Sequence, residues 1–116
     1  MNIDHLFSRR YHIDNYNCVH FLCEAWQAMF NEDLSGRLKG FLRAVSDKQF
    51  IKADIRTFKR IAQPADPCIV LFQAPHQSPH VGLFYRRKVL HITPQGVQRV
   101  PLSVAAMGFS RVRFYQ

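Results

Sequence analysis

Residues 16–26 read YNCVHFLCEAW, and the fold is decided at the boundary inside this stretch. From Asn17 onward the pattern changes: Cys18, Phe21, Leu22, Ala25, Trp26, Met29 and Phe30 recur at steps of three and four. That is the spacing of one helical face. Asn17 suits the N-cap, since its side-chain oxygen can accept an orphan amide hydrogen of the first turn. Glu24 and Gln27 fall on the polar side. The spacing predicts a helix over 18–30 with Cys18 in its first turn. A cysteine there faces free amide hydrogens and the positive end of the helix dipole. Both favour thiolate and are expected to lower the pKa from its free value near ~8.5. Cys23 and Cys68 lack that placement and read as small buried hydrophobes.

Working outward, residues 1–16 are polar and aromatic and read as an irregular lead-in. After the helix, NEDLSGRLKG turns the chain. Leu34, Leu38, Phe41, Leu42 and Val45 then predict a second, shorter helix, weakened by Gly36 and Gly40. A third is predicted over 47–62, capped by Asp47, with Phe50, Ile51, Ile55, Phe58, Ile61 and Ala62 as its stripe. QPADP stops it.

Past Pro67 the texture is that of strands. CIVLF at 68–72, HVGLFY at 80–85, KVLHI at 88–92, VQRVPL at 97–102 and FSRVRFY at 109–115 are the candidates. Helices precede strands, so the expected class is α+β: N-terminal helices packed on a five-stranded antiparallel β-sheet. A chain of 116 residues has the size of one domain, taken as 1–116.

Composition narrows the function classes. The chain is 47% hydrophobic with ten Phe, enough for a core and outside the disordered class. No apolar run approaches the ~18–20 residues that cross a bilayer. The opening MNIDHLFSRRYHIDNYN lacks a continuous apolar region and a small-residue cleavage site, so synthesis in the cytoplasm without a secretory leader is expected. Three cysteines cannot all pair internally, which points to free thiols. Sixteen Lys and Arg against eight Asp and Glu give a net charge of +8, scattered without a tract. This fits a solvated basic surface, or attraction to nucleic acid or an anionic wall polymer. No basic helix face interleaved with aromatics stands out, which argues against nucleic acid.

A thiol nucleophile needs an imidazole base, and that imidazole needs a third polar group to hold its ring. His80 opens one predicted strand and His91 lies in the next. A two-residue loop at Arg86-Arg87 would pair Tyr85 with Lys88 and set Gly82 opposite His91. His80 and His91 would then share a face, because strand residues two apart do. Gly82 on that face is expected to leave room for the helix carrying Cys18. The backbone amide of Cys18 is the expected oxyanion donor, with the Tyr16 hydroxyl a second candidate. His76, in the proline-bounded loop QAPHQSPH, is a candidate for the substrate groove, and His20 is read as a rim residue. A rival reading assembles a zinc site from Cys18, His20, Cys23, His76 and His80, although C-x4-C on one helix does not match the tighter knuckles of ordinary zinc motifs.

YNC opening a helix, followed some sixty residues on by PHVGLFY and VLHIT, resembles the NlpC-type cell-wall cysteine peptidases of the papain-like clan. The likeness covers about Tyr16 to Leu102, with PADPCIVLF where that family has a PGDLVFF-like strand. It implies a papain-like fold, no cofactor or metal, and a triad of Cys18 as nucleophile, His80 as base and His91 as orienting group. The implied substrates are peptidoglycan peptides. Where the family reads Asp-Cys-Ser-Gly, this chain has Asn17, Cys18, Val19 and His20. Asn17 supplies no charge and Val19 no hydroxyl for a free amine, so an internal peptide or cross-bridge bond is implied. The short N-C-x-H-F form is similar to the hydrolase-like proteins of phage tail tips, which implies tail-tip partners and delivery to the wall by a particle. A silent structural part that keeps the fold is the alternative.

Overall fold

The computed structural model describes residues 3–13, 15–38 and 57–116. One long helix, α1 (Cys18–Phe30), lies against an antiparallel sheet of six described strands. These are β1 (Arg60–Ile61), β2 (Cys68–Gln73), β3 (His80–Tyr85), β4 (Lys88–Thr93), β5 (Gly96–Pro101) and β6 (Arg111–Tyr115). A short helix, α2 (Leu102–Ala105), links the last two. The spatial order is β1-β6-β2-β3-β4-β5.

α1 begins where its cap dictates. The Asn17 side-chain oxygen accepts from the amides of Val19 at 2.9 Å and His20 at 3.4 Å. In return His20 Nδ1 accepts from the Asn17 amide at 3.1 Å, completing a reciprocal capping box. At the other end Asn31 adopts the left-handed conformation at φ 54° and donates to Gln27. Val19, Phe21, Leu22, Ala25 and Trp26 are buried. They pack on Ile69, Leu71, Val81, Leu83, Leu90 and Ile92 of the sheet, each such side chain contributing about 1.5–3 kcal/mol.

The opposite face of the sheet has a core of its own. Cys68, Val70, Phe72, Phe84 and Val89 meet Ala105 there, with Leu102, Phe109, Val112 and Phe114 packed alongside. Cover on both faces explains why β2 is a continuous apolar run instead of an alternating one.

Several expectations change. Among the described residues the sheet has six strands instead of five: Arg60–Ile61 pairs with Tyr115 and Phe114 of β6 as an edge strand, so the helix predicted to run to Ala62 does not reach that far. Its residues 47–56 lie outside the described residues. Of the helix predicted over 34–45, residues 39–45 also lie outside them, and Ser35–Arg37 forms one 3-10 turn. Leu102 starts α2 instead of ending β5, because Pro101 lacks the amide hydrogen that would continue the ladder.

Candidate active site

The β3–β4 hairpin sets the histidines. Tyr85 pairs with Lys88, Phe84 with Val89 and Leu83 with Leu90, leaving Arg86 and Arg87 as a two-residue loop with φ 51° and 69°. Both left-handed residues give the turn twist that hairpins favour, in side chains that rarely supply it. Asp66 Oδ1 accepts the Arg86 amide at 2.9 Å and braces the turn.

With this register His80 and His91 stand on one face, and His80 Nε2 lies 2.7 Å from His91 Nδ1. Their rings meet edge to face at 5.0 Å. Phe109 stacks on His80 at 6.0 Å and Phe72 lies 5.7 Å away, both tilting it toward a fixed pose. This aromatic seat belongs to the face opposite α1, which corrects one expectation. Gly82 does not make room for the helix: a Cβ there would come 2.6 Å from Val89 Cγ1 and 3.3 Å from His91 Cβ. The space serves the neighbouring strand.

Cys18 belongs to the core on the α1 side, whereas the imidazoles stand on the other. One cleft of about 380 Å³ is lined by Cys18, His80 and His91 together. The thiol sits at the start of β3, where the amides of Val81, Cys18 and Val19 favour its ionised form. Burial outweighs them. Cys18 is 5% exposed, and the loss of solvent pushes its pKa up to about 11. The expected lowering of the thiol pKa is thus reversed, since desolvation penalises thiolate more than the helix terminus stabilises it. His80 is driven the other way, down to about 3, by burial first and by His91 second. Thiol and imidazole rest as a neutral pair, and among the described residues no hydrogen bond joins them.

His91 is lowered by burial, against which the Gln98 side chain favours its charged form. Gln98 is its cross-strand partner in β5. The His91 Nε2 nevertheless has no partner at full hydrogen-bond geometry among the described residues. Gln98 lies beside the ring without closing a bond to it.

The other candidates separate. Asn17 is fully buried as the helix cap, its Nδ2 donating to Ile13 O at 3.3 Å. It positions Cys18 and does not line the cleft. Tyr16 is turned away from the oxyanion role: its hydroxyl donates to Glu24 Oε1, in a cluster where Arg9 grips both Glu24 oxygens. His76 is exposed at φ 63° and lies outside the cleft lining, which takes Gln77, Ser78 and Pro79 from the same loop. His20 is half-buried in the capping box instead of free at the rim. Among the described residues no group of three His, Cys, Asp or Glu is arranged to hold a metal, so the five residues of the zinc alternative are not gathered. The three cysteines are free.

Tyr11 is among the lining residues that sequence reasoning missed. Its pKa is raised by burial and then by the charge that Cys18 carries when ionised, so the two groups are electrostatic neighbours. No periodicity marks a tyrosine in an irregular lead-in. It reaches the cleft because the backbone of His12 and Tyr16 bonds reciprocally, at 2.9 and 2.8 Å, and folds the segment back over α1.

No family model, curated protein or solved structure matches this chain. Among the described residues no helix is long and apolar enough to cross a membrane.

Proposed function

We propose that this chain is a thiol hydrolase of NlpC type, on a papain-like variant of the α+β plan, cleaving amide bonds in peptidoglycan peptides. One observation carries the reading: a helix-opening cysteine shares a cleft with an imidazole whose far nitrogen is held at 2.7 Å by a second imidazole. That is the relation of nucleophile, base and orienting group.

In the proposed reaction the Cys18 sulfur attacks the scissile carbonyl carbon while His80 takes the thiol proton. The carbonyl oxygen becomes an oxyanion facing the Cys18 amide hydrogen at the helix terminus. Collapse breaks the carbon–nitrogen bond, and His80 returns the proton to the leaving amine, giving an acyl-thioester. Water then attacks the thioester, His80 accepts its proton, and the carboxylic acid departs as the thiol is restored. Because the resting pair is neutral, proton transfer accompanies attack instead of preceding it. The resemblance to phage tail-tip proteins suggests delivery on a particle, with tail proteins as partners.

A second reading has its own support. A thiol 5% exposed and protonated up to about pH 11 suits a structural tail component that retains the fold without activity. Digestion of purified cell walls by wild type beside Cys18→Ser separates the two. New amino termini released by wild type alone carry the hydrolase reading. No release by either protein, with both folded, leaves the structural one.

A further inference from the structure

The charge of this protein stops at the edge of its cleft. Sixteen basic and eight acidic residues belong to the chain, yet the seventeen described residues lining the cleft include no Asp, Glu, Lys or Arg. Its two histidines are neutral at physiological pH, both lowered by burial. A ligand's carboxylate or ammonium entering here would lose water and meet no opposite charge, which is costly.

The rim adds a second, independent observation. Four large hydrophobic side chains are exposed on the described surface: Phe7, Ile13, Val104 and Met107, the last at 74%. Three of the four, Ile13, Val104 and Met107, line this one cleft. Ile13 comes from the lead-in, Val104 from α2 and Met107 from just beyond it, so segments distant in sequence bring apolar groups to the same mouth. Clustered exposed apolar surface marks a binding site where scattered single residues do not. Methionine, unbranched and polarisable, adapts to varied apolar partners.

Neutral hydrogen-bonding groups stand among them. Gln77, Gln95, Gln98, Ser78 and Thr93 also line the cleft. Amide and hydroxyl side chains pair with peptide N–H and C=O groups, for which a hydrocarbon chain has no counterpart. A volume of about 380 Å³ falls in the range of sites that hold a few residues, not a whole polymer.

We propose that the cleft is selective for an internal, uncharged peptide segment with an aliphatic side chain, seated against Ile13, Val104 and Met107, next to the scissile carbonyl. The placement beside a scissile bond rests on the hydrolase reading, but the selectivity for the segment is a binding property and stands or falls separately. Residues carrying free termini or charged side chains are excluded from this subsite. The basic surface acts outside it, on whatever anionic polymer carries the peptide.

The test measures binding first, on Cys18→Ser protein, by calorimetry with end-blocked pentapeptides whose central residue is Leu, Asp or Lys. The Leu peptide should bind at least tenfold more tightly than either charged one, and Met107→Asp should erase that preference. Met107 is exposed, so the substitution leaves the core intact, and an unchanged melting temperature verifies it. Equal affinity for the three peptides, or no binding of any, overturns the inference. So does a decanoyl amide that binds as tightly as the Leu peptide, since that makes the occupant a hydrocarbon chain. Turnover is then assayed with wild type on the Leu peptide. Selective binding without cleavage overturns the hydrolase reading alone and leaves the subsite in place.

Discussion

His80 Nε2 and His91 Nδ1 lie 2.7 Å apart, and only one proton can occupy the line between them. With that proton on His80, its Nδ1 keeps a lone pair to take the thiol proton, and His91 carries its own proton on Nε2. With the proton on His91, His80 would have its hydrogen on Nδ1 and could not act as base. The productive tautomer of the neutral pair is therefore the one with the shared proton on His80, and it needs the second imidazole as acceptor. His91→Ala should therefore lower kcat on a wall peptide by about 10²–10³, within the range of general acid–base contributions. His91→Asn offers an acceptor at the Nδ1 position and should recover part of the loss, with KM little changed. Steady-state kinetics on the three proteins, each with its melting temperature, reads this directly. Full activity in a folded His91→Ala protein would show that the second imidazole has no part in the chemistry.

The Cys18 thiol is pushed up to about 11 by burial, which sets a pH profile for alkylation. In the free protein the rate of iodoacetamide labelling at Cys18 should climb tenfold per pH unit from pH 7 to 10 and level off only near 11. At pH 7 it should run roughly 300-fold slower than a free thiol of pKa near 8.5. Peptide mapping by mass spectrometry distinguishes it from Cys23, whose thiol burial pushes up to about 12. A plateau below pH 8 at Cys18 would mean that the helix terminus overrides burial after all.

These two sites mark the limit of what the residues disclose in one dimension. α1 was legible because a period of 3.6 and a cap are local signals, and both ends of that helix fall where they point. The histidine pairing was legible too, because side chains alternate along a strand and Arg86-Arg87 fixes the register. What could not be read was which face of the sheet α1 would cover. Either face of β2, β3 and β4 is apolar, so the pattern is silent, and the role given to Gly82 failed with it. The direction of the Cys18 shift failed for a related reason. The dipole contribution is written in the local sequence, whereas the burial that opposes it exists only once the chain has folded around the thiol. Edge strand β1 is two residues long, too short for any alternation to show.

Gly82 supplies a packing test. An added methyl would overlap Val89 Cγ1 at 2.6 Å and crowd His91 Cβ at 3.3 Å, and Val89 is wholly buried. Gly82→Ala should cost about 1–3 kcal/mol, the range for overpacking a filled core. Adding Val89→Ala removes the colliding atom, so the double variant should be more stable than the sum of the two single losses. Urea denaturation of the four proteins yields the coupling. Additive losses would show that Gly82 is needed for backbone conformation and not for space.

Glu24 joins the lead-in to α1, and its titration should be visible in stability. Arg9 Nε and Nη2 hold its two oxygens at 2.9 and 2.6 Å, with the Tyr16 hydroxyl as a third donor. The Arg9 hydrogen bond is the largest cause of a carboxyl pKa depressed below the ordinary 4.5. A depressed folded pKa means that the ionised carboxylate stabilises the native state. That contribution is complete above about 4.5 and drains away as pH falls through the lower folded value. The side chains remain 31% and 38% exposed, so screening keeps the contribution near ~1 kcal/mol. Glu24→Gln should lose that much at pH 7, and the wild-type and variant stabilities should converge as the solution is acidified below pH 4. The same substitution loosens the segment that carries Tyr11 and Ile13 to the cleft, so it should raise KM for a peptide while sparing kcat. A variant whose deficit at pH 7 persists undiminished at pH 3 would place the effect in packing instead of charge.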